Sequence, residues 1–348
     1  MADNPFTLSF GRSPLEAIER PVQTNEIVDT FTSDLPSQQI YIITGVRGVG
    51  KTVLMTSVSN RFRTDDSWLV IELNPETDLL QGLAAKLSSD TVCASLFRKA
   101  KIDLSFFGFG LSISGESPIT DIETALARMF EILKKQGKRI LITVDEATNT
   151  PSMRVFAAAF QIFVRREFPV FLLMTGLFEN IEDLQDEKSL TFLYRAPKLK
   201  LSSLNMGAVA SRYRSLFHLS AEDASAMADM TKGYPFAFQA LGYLTWNRSG
   251  DFRGVSDQYR QYLEEFVYDK LWSELSARDK LICYGIACSE RGTVQSVREI
   301  LNLSSDELSP YRKRLIKKGI VDGETRGMLK FTLPLFTEYV KENFSGTV

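Results

Sequence analysis

At 348 residues the chain is too long for one compact core, and its length suggests two or three domains. An apolar fraction of 44% and a charged fraction of 24% are ordinary for soluble globular proteins. The formal net charge of −2 excludes a molecule that binds nucleic acid through its overall charge, so any basic surface must be local. Three cysteines (Cys93, Cys283, Cys288) and the single histidine His218 offer neither a disulfide framework nor zinc-ligand spacing, which fits a reduced, cytoplasmic compartment. The opening MADNPFTLSFGRSP has no basic and no apolar region of a signal peptide. The longest apolar runs fall far short of the ~20 residues that span a bilayer, so no membrane partner is expected.

In chain order, Gln39 to Thr44 reads as a buried strand and Lys51 to Arg61 as a helix. A second strand, Trp68 to Leu73, stops at Asn74-Pro75. The long stretch after it contains IDLSFFGFGLSIS, Ile102 to Ser114, which reads as a glycine-relieved hairpin, either packed on the sheet or exposed to a partner. Asp121 to Lys135 carries Ile122, Ala125, Leu126, Met129, Ile132 and Leu133 on one helical face. The strand Arg139 to Val144 follows, then a helix Ser152 to Arg166, a strand Pro169 to Met174 and a short fifth strand Pro197 to Leu201. Strands alternating with helices indicate a parallel sheet covered on both faces. This α/β domain spans residues 1–202.

Only helices follow over residues 203–274. Ser220 caps one through Met230, Pro235 opens another running to Gly250, and Gln258 to Leu275 forms a third. Residues 275–348 read as helices Arg278–Cys288, Thr293–Leu301 and Ser309–Lys318, then two short strands around Glu324-Thr325-Arg326-Gly327. That order is the layout of a winged helix-turn-helix.

Gly45-Val46-Arg47-Gly48-Val49-Gly50-Lys51-Thr52 matches the phosphate-binding pattern G-x-x-x-x-G-K-[ST] in full, with Val53 continuing into the helix. The glycines let backbone N–H groups turn around a phosphate at the start of a helix. Lys51 would neutralise phosphate oxygens, and Thr52 would place a hydroxyl on Mg²⁺. Asp145-Glu146, at the end of a neighbouring strand, supply a carboxylate for Mg²⁺ and one to polarise an attacking water. Thr175 ends the next strand and could set its hydroxyl beside the γ-phosphate or simply close a turn. Arg195, just before the fifth strand, is either a solvated surface residue or a group that reaches a γ-phosphate in its own or a neighbouring subunit. The segment Ser309 to Lys318 carries five basic residues and no acidic one, with Arg312, Lys313 and Lys317 projecting outward and Arg326 on the wing. Contact with duplex DNA is one reading. The other is charge complementing a helix dipole, on a module with twelve basic and nine acidic residues that packs or docks a protein.

The loop, Asp145-Glu146, Thr175 and Lys232-Gly233-Tyr234-Pro235 resemble the AAA+/STAND superfamily, and within it the archaeal-type and bacterial ATPases related to replication initiators. The opening Asn4 to Phe6 with Phe10-Gly11, and the closing LKFTLPLFTEYV, Leu329 to Val340, are similar to bacterial ATP-binding proteins of this kind. The resemblance implies a five-stranded parallel sheet, a helical lid and a terminal winged helix. It implies ATP and Mg²⁺ as ligands, with Lys51 and Thr52 on phosphate and metal, Asp145 on metal and Glu146 as the catalytic carboxylate. Thr175 takes the sensor position, and the turn ending in Pro235 brings the lid to the nucleotide. Two departures matter: the lid runs Gly-Tyr-Pro-Phe-Ala-Phe without the arginine many relatives place there, and Glu19-Arg20-Pro21 to Glu26 lacks the glycine of the adenine-side pattern. Both point to slow turnover. Two functions follow: an ATPase switch whose nucleotide state controls domain orientation or homo-oligomer assembly and DNA binding, or a nucleotide-dependent switch that binds protein partners and no nucleic acid.

Overall fold

The computed structural model describes residues 3–8, 14–108, 119–323 and 325–346. They fall into two units. One comprises residues 20–44 and 51–200; the other comprises the described residues up to Glu19, the segment Gly45–Gly50 and the chain from Leu201 onward.

In the first unit, largely apolar runs form β1 (Ile40–Thr44), β2 (Trp68–Leu73), β3 (Arg139–Val144) and β4 (Val170–Gly176), and the short Lys-Leu-Lys segment forms the edge strand β5 (Lys198–Lys200). Every pairing is parallel, in the order β2-β3-β4-β1-β5. Side chains alternate between two buried faces. Ile40, Ile42, Ile140, Ile142, Leu172 and Met174 enter one core with α3 (Leu79–Ser89), α4 (Thr91–Lys99), α5 (Ile122–Lys135) and α6 (Pro151–Arg165). Tyr41, Trp68 and Phe171 point the other way, into an aromatic cluster with Phe31 of α1 (Pro21–Thr32) and Phe62 of α2 (Lys51–Arg63). Helix α7 (Phe178–Gln185) and a 3₁₀ segment, Lys188–Arg195, lead into β5.

The five strands expected from the sequence are present. The long stretch after β2 holds two helices for which the sequence carried no expectation, α3 and α4. Each begins on an aspartate cap: Asp78 accepts the Gln81 N–H at 3.0 Å and Asp90 that of Cys93 at 2.9 Å. No hairpin forms in the described part of Ile102–Ser114. Asp103 accepts the Ser105 N–H at 2.9 Å, which curls the chain into a 3₁₀ turn at Ser105–Phe107. The remaining residues of that expected hairpin, 109–114, lie outside the described residues, as do Phe10 and Gly11.

The second unit is helical: α8 (Met206–Phe217), α9 (Ala221–Asp229), α10 (Pro235–Asn247), α11 (Ser256–Leu263), α12 (Asp269–Ser273), α13 (Ala277–Cys288), α14 (Val294–Leu301), α15 (Ser305–Lys318) and α16 (Phe336–Asn343). The single helix expected over Gln258–Leu275 is α11 and α12 joined through a π turn, Glu264–Tyr268. Helix α15 starts four residues before its expected Ser309, because Ser304 and Glu307 cap each other's backbone N–H groups. Its first turn therefore carries Asp306 and Glu307, so the helix is not purely basic. The two wing strands expected around residues 324–327 are reduced to isolated antiparallel bridges, Thr293 with Met328 and Val321 with Phe331; Glu324 lies outside the described residues. Helix α16 closes this part of the core, with Phe336 edge-on to Tyr268 at 5.0 Å. Among the described residues no helix is long and apolar enough to cross a membrane.

Phe130 is fully buried and sits edge-on to Phe163 at 5.0 Å. Phe130→Ala should cost roughly 3–5 kcal/mol, read as a lower urea midpoint at unchanged m.

Candidate functional site

Register brings the first group of site residues together. Val144 of β3 pairs with Met174 of β4, so Asp145 and Thr175 emerge at the same carboxyl edge of the sheet. Thr52, in the first turn of α2, donates its hydroxyl to Asp145 Oδ2 at 2.8 Å. Asp145 Oδ1 accepts the Thr175 hydroxyl and the Glu146 N–H, the latter at 3.1 Å. Thr175 is fully buried, and its Oγ1 also accepts the Glu146 N–H, at 3.1 Å. Glu146 adopts a left-handed backbone with φ +53°, a conformation unfavourable for a residue with a Cβ. Its N–H has two acceptors, and its carboxylate is exposed. A hydroxyl and a carboxylate 2.8 Å apart at a half-buried position are hard oxygen donors, the kind Mg²⁺ takes alongside water and phosphate oxygens. The donor set fits that ion.

The phosphate-loop segment Gly45–Gly50 lies in the second unit, packed against the start of α10. Tyr234 donates its phenol to the Arg47 carbonyl at 2.5 Å, and the Phe236 N–H donates to the Gly48 carbonyl at 3.2 Å. Tyr234 is buried at 2% exposure, and burial pushes its phenol pKa up, so it remains a protonated donor. Gly48 has φ +75°, and a Cβ there would overlap the Tyr234 hydroxyl. Pro235 faces Gly50, 3.9 Å from where a Cβ would stand. The turn before it is set by Gly233, at φ +69°, whose carbonyl accepts the Leu204 N–H at 2.7 Å. Arg47 reaches Glu274 at 3.4 Å while its Nε is buried with no hydrogen-bond partner among the described residues; Glu274 is shared with Lys270 at 3.3 Å. Gly319, which ends α15, stands against Val46, 3.7 Å from its nitrogen to an added Cβ.

The other expected site residues are placed as follows. Lys51 and Val53 are half-buried in the first turn of α2, and Lys51 is joined to Gly50 by the chain. Arg195 is exposed at the end of its 3₁₀ segment and makes no hydrogen bond to the Asp145 group. Lys313, Lys317 and Arg326 are exposed, whereas Arg312 is half-buried, its buried Nε having no hydrogen-bond partner among the described residues. Arg314 turns inward to Asp279, itself 2% exposed, with contacts of 2.6 and 2.9 Å. The sequence reading singled out the Gly233-Tyr234-Pro235 turn but not the Tyr234 hydroxyl or Glu274. Their signal is the tyrosine between the glycine and the proline, and it names no partner 187 positions away.

A parallel sheet whose first strand runs into Gly-x-x-x-x-Gly-Lys-Thr, with a strand-end aspartate bonded to that threonine, defines a P-loop nucleotide-binding fold. Residues 35–182 match the family model described as AAA domain, and residues 265–340 match a domain of unknown function (DUF8462). No curated protein matches the chain in sequence. Over 93% of its length the chain superposes on 95% of the Walker-type ATPase PABY2304 of Pyrococcus abyssi, at 16% identity and a TM-score of 0.66. It covers 96% of itself and 95% of the Aeropyrum pernix ORC2 protein, solved as ADPNP–ADP complexes, at 13% identity and a TM-score of 0.57. Residues 35–182 thus carry an AAA domain, and the chain shares its fold with this Walker-type ATPase and with the ORC2 protein.

Thr175→Val keeps the side-chain shape but removes the donor to Asp145 and one acceptor of the Glu146 N–H. It should cost about 1–3 kcal/mol in chemical denaturation, and full native stability would show that these bonds contribute nothing.

Proposed function

We propose that this chain is a slow, Mg²⁺-dependent ATPase switch whose nucleotide state controls the C-terminal unit and its contact with duplex DNA. One observation carries the reading: Asp145 is bonded to Thr52 through one oxygen and to Thr175 and the Glu146 amide through the other. This joins the end of the phosphate-binding motif to the carboxylate beside it.

Lys51 sets its charge against the phosphate oxygens, and the loop N–H groups receive the phosphate chain. Thr52 and Asp145 would hold Mg²⁺, which when bound neutralises charge on the phosphate oxygens. Glu146 orients a water for attack on the γ-phosphorus. The bond from that phosphorus to the bridging oxygen breaks, ADP leaves, and the water proton passes by way of Glu146 to solvent. Thr175 acts as a positioning residue that keeps Asp145 and Glu146 in place. Arg195, exposed at the end of its 3₁₀ segment, would reach a γ-phosphate in its own or a neighbouring subunit. Slow turnover is supported by the lid segment Gly233 to Phe238, which carries no arginine to add charge at the γ-phosphate. The Aeropyrum pernix ORC2 protein, with this fold, was solved as nucleotide complexes, which supports nucleotide binding.

Lys51→Ala should abolish ATP binding in a fluorescent-nucleotide titration. Glu146→Gln should keep the affinity while turnover falls ~10²-fold or more; an unchanged turnover rate removes Glu146 from the assigned role.

Lys313, Lys317 and Arg326 offer exposed charge for DNA phosphates, and each contact adds to the salt dependence of binding. In mobility-shift titrations at two salt concentrations, Lys313→Ala with Lys317→Ala should lower the salt slope by about two. Absence of any shift at low salt, with and without ATP, would favour a nucleotide-dependent switch that docks proteins. Arg314 tied to Asp279 and the half-buried Arg312 support that second reading, because two of the five helix cations are turned inward.

A further inference from the structure

The phosphate loop is gripped from outside. Loop N–H groups that face a phosphate must leave their carbonyls pointing away, and those carbonyls need donors of their own. Two are supplied by one turn of the lid: the Tyr234 phenol to the Arg47 carbonyl at 2.5 Å, and the Phe236 N–H to the Gly48 carbonyl at 3.2 Å. In a trans peptide the carbonyl and the following N–H point in opposite directions. Holding the Arg47 carbonyl on Tyr234 therefore aims the Gly48 N–H to the inner side of the loop. The next peptide shows the same geometry: with the Gly48 carbonyl held by Phe236, the Val49 N–H is turned inward and meets the Val46 carbonyl at a long 3.3 Å. The fit is steric as well. Gly48 lies so close to Tyr234 that a Cβ would overlap the phenol oxygen and stand 3.0 Å from the ring carbon bearing it.

We propose that Tyr234 is a positioning residue for the phosphate loop, fixing the Gly48 peptide so that its N–H is pre-aimed at the phosphate chain. The inference rests on the reading that this loop binds nucleotide. Tyr234 touches no phosphate itself. It acts by removing the choice of peptide orientation before the ligand arrives, so the loss on binding is smaller. It also gives the lid turn a task that does not need the arginine absent from it.

The test is a double-mutant cycle on ADP affinity, using the full chain and titration calorimetry. Tyr234→Phe keeps the ring and should weaken ADP about fivefold, the factor one net hydrogen bond is worth. Gly48→Ala should weaken ADP far more, because the new methyl group meets the phenol oxygen. In the Tyr234→Phe background, the Gly48→Ala penalty should shrink by at least about threefold, since that oxygen is gone. A role confined to general lid stability gives additive effects, and additivity overturns the inference. Equal ADP affinity for the native chain and Tyr234→Phe also overturns it, while leaving the nucleotide-switch reading intact. No ADP binding by the native chain overturns that reading, and the inference with it.

Discussion

The parallel register of β3 against β4 is the constraint on which the chemical end of this molecule depends. Pairing Val144 with Met174 sends Asp145 and Thr175 out at one edge. There a single carboxylate collects donors from three places: Thr52 at the start of α2, Thr175 at the end of β4, and the Glu146 amide. Hydrogen bonds to an ionised acceptor are the stronger kind, and here they leave the Asp145 side chain little freedom. Glu146 adopts a left-handed backbone there, with its N–H shared between Asp145 and Thr175 and its carboxylate exposed. A slip of the register by one residue would have put these groups on opposite faces of the sheet.

The phosphate loop obeys a complementary rule. Its glycines permit the inward turn of N–H groups, but a loop without a ligand has no reason to keep that turn unless its outward carbonyls are bonded. Tyr234 and Phe236 meet that need, and the buried phenol stays a donor because desolvation opposes its ionisation. The same loop meets Glu274 through Arg47, and Gly319, at the end of α15, through Val46. The loop thus lies beside the C-terminal end of the helix that carries Lys313 and Lys317. A ligand that shifts the loop must move against these neighbours, which is the physical content of the proposed switch.

Charge along α15 follows the helix dipole, with Asp306 and Glu307 in the first turn and Lys317 and Lys318 in the last. Arg314 is committed to the buried Asp279, whose removal from water requires such a partner. The helix is therefore less cationic toward solvent than its C-terminal half suggests. What it offers a partner is concentrated on Lys313 and Lys317, with Arg326 beyond the helix.

The sequence by itself determined β1 to β4, since short apolar runs bounded by turn residues leave few alternatives, and it determined the phosphate motif, which is contiguous; β5, Lys-Leu-Lys after Pro197, carries the weakest signal of the five. It also determined the two carboxylates, because they terminate one such run. Helices α3 and α4 are legible in principle from their caps Asp78 and Asp90, whereas the aromatic and glycine-rich run beyond them has a hairpin's composition but forms a 3₁₀ turn in its described part. The π turn at Glu264–Tyr268 and the reduction of the wing to single bridges left no local trace. Only the tertiary structure decided which donors hold Asp145, that Tyr234 bears on the loop, and that Arg314 is spent on Asp279. Motifs and periodicities are written in neighbouring residues. Apart from the Glu146 amide next to Asp145, these contacts join residues from 30 to 187 positions apart, and their partners are chosen by packing and register, which no short stretch of chain encodes.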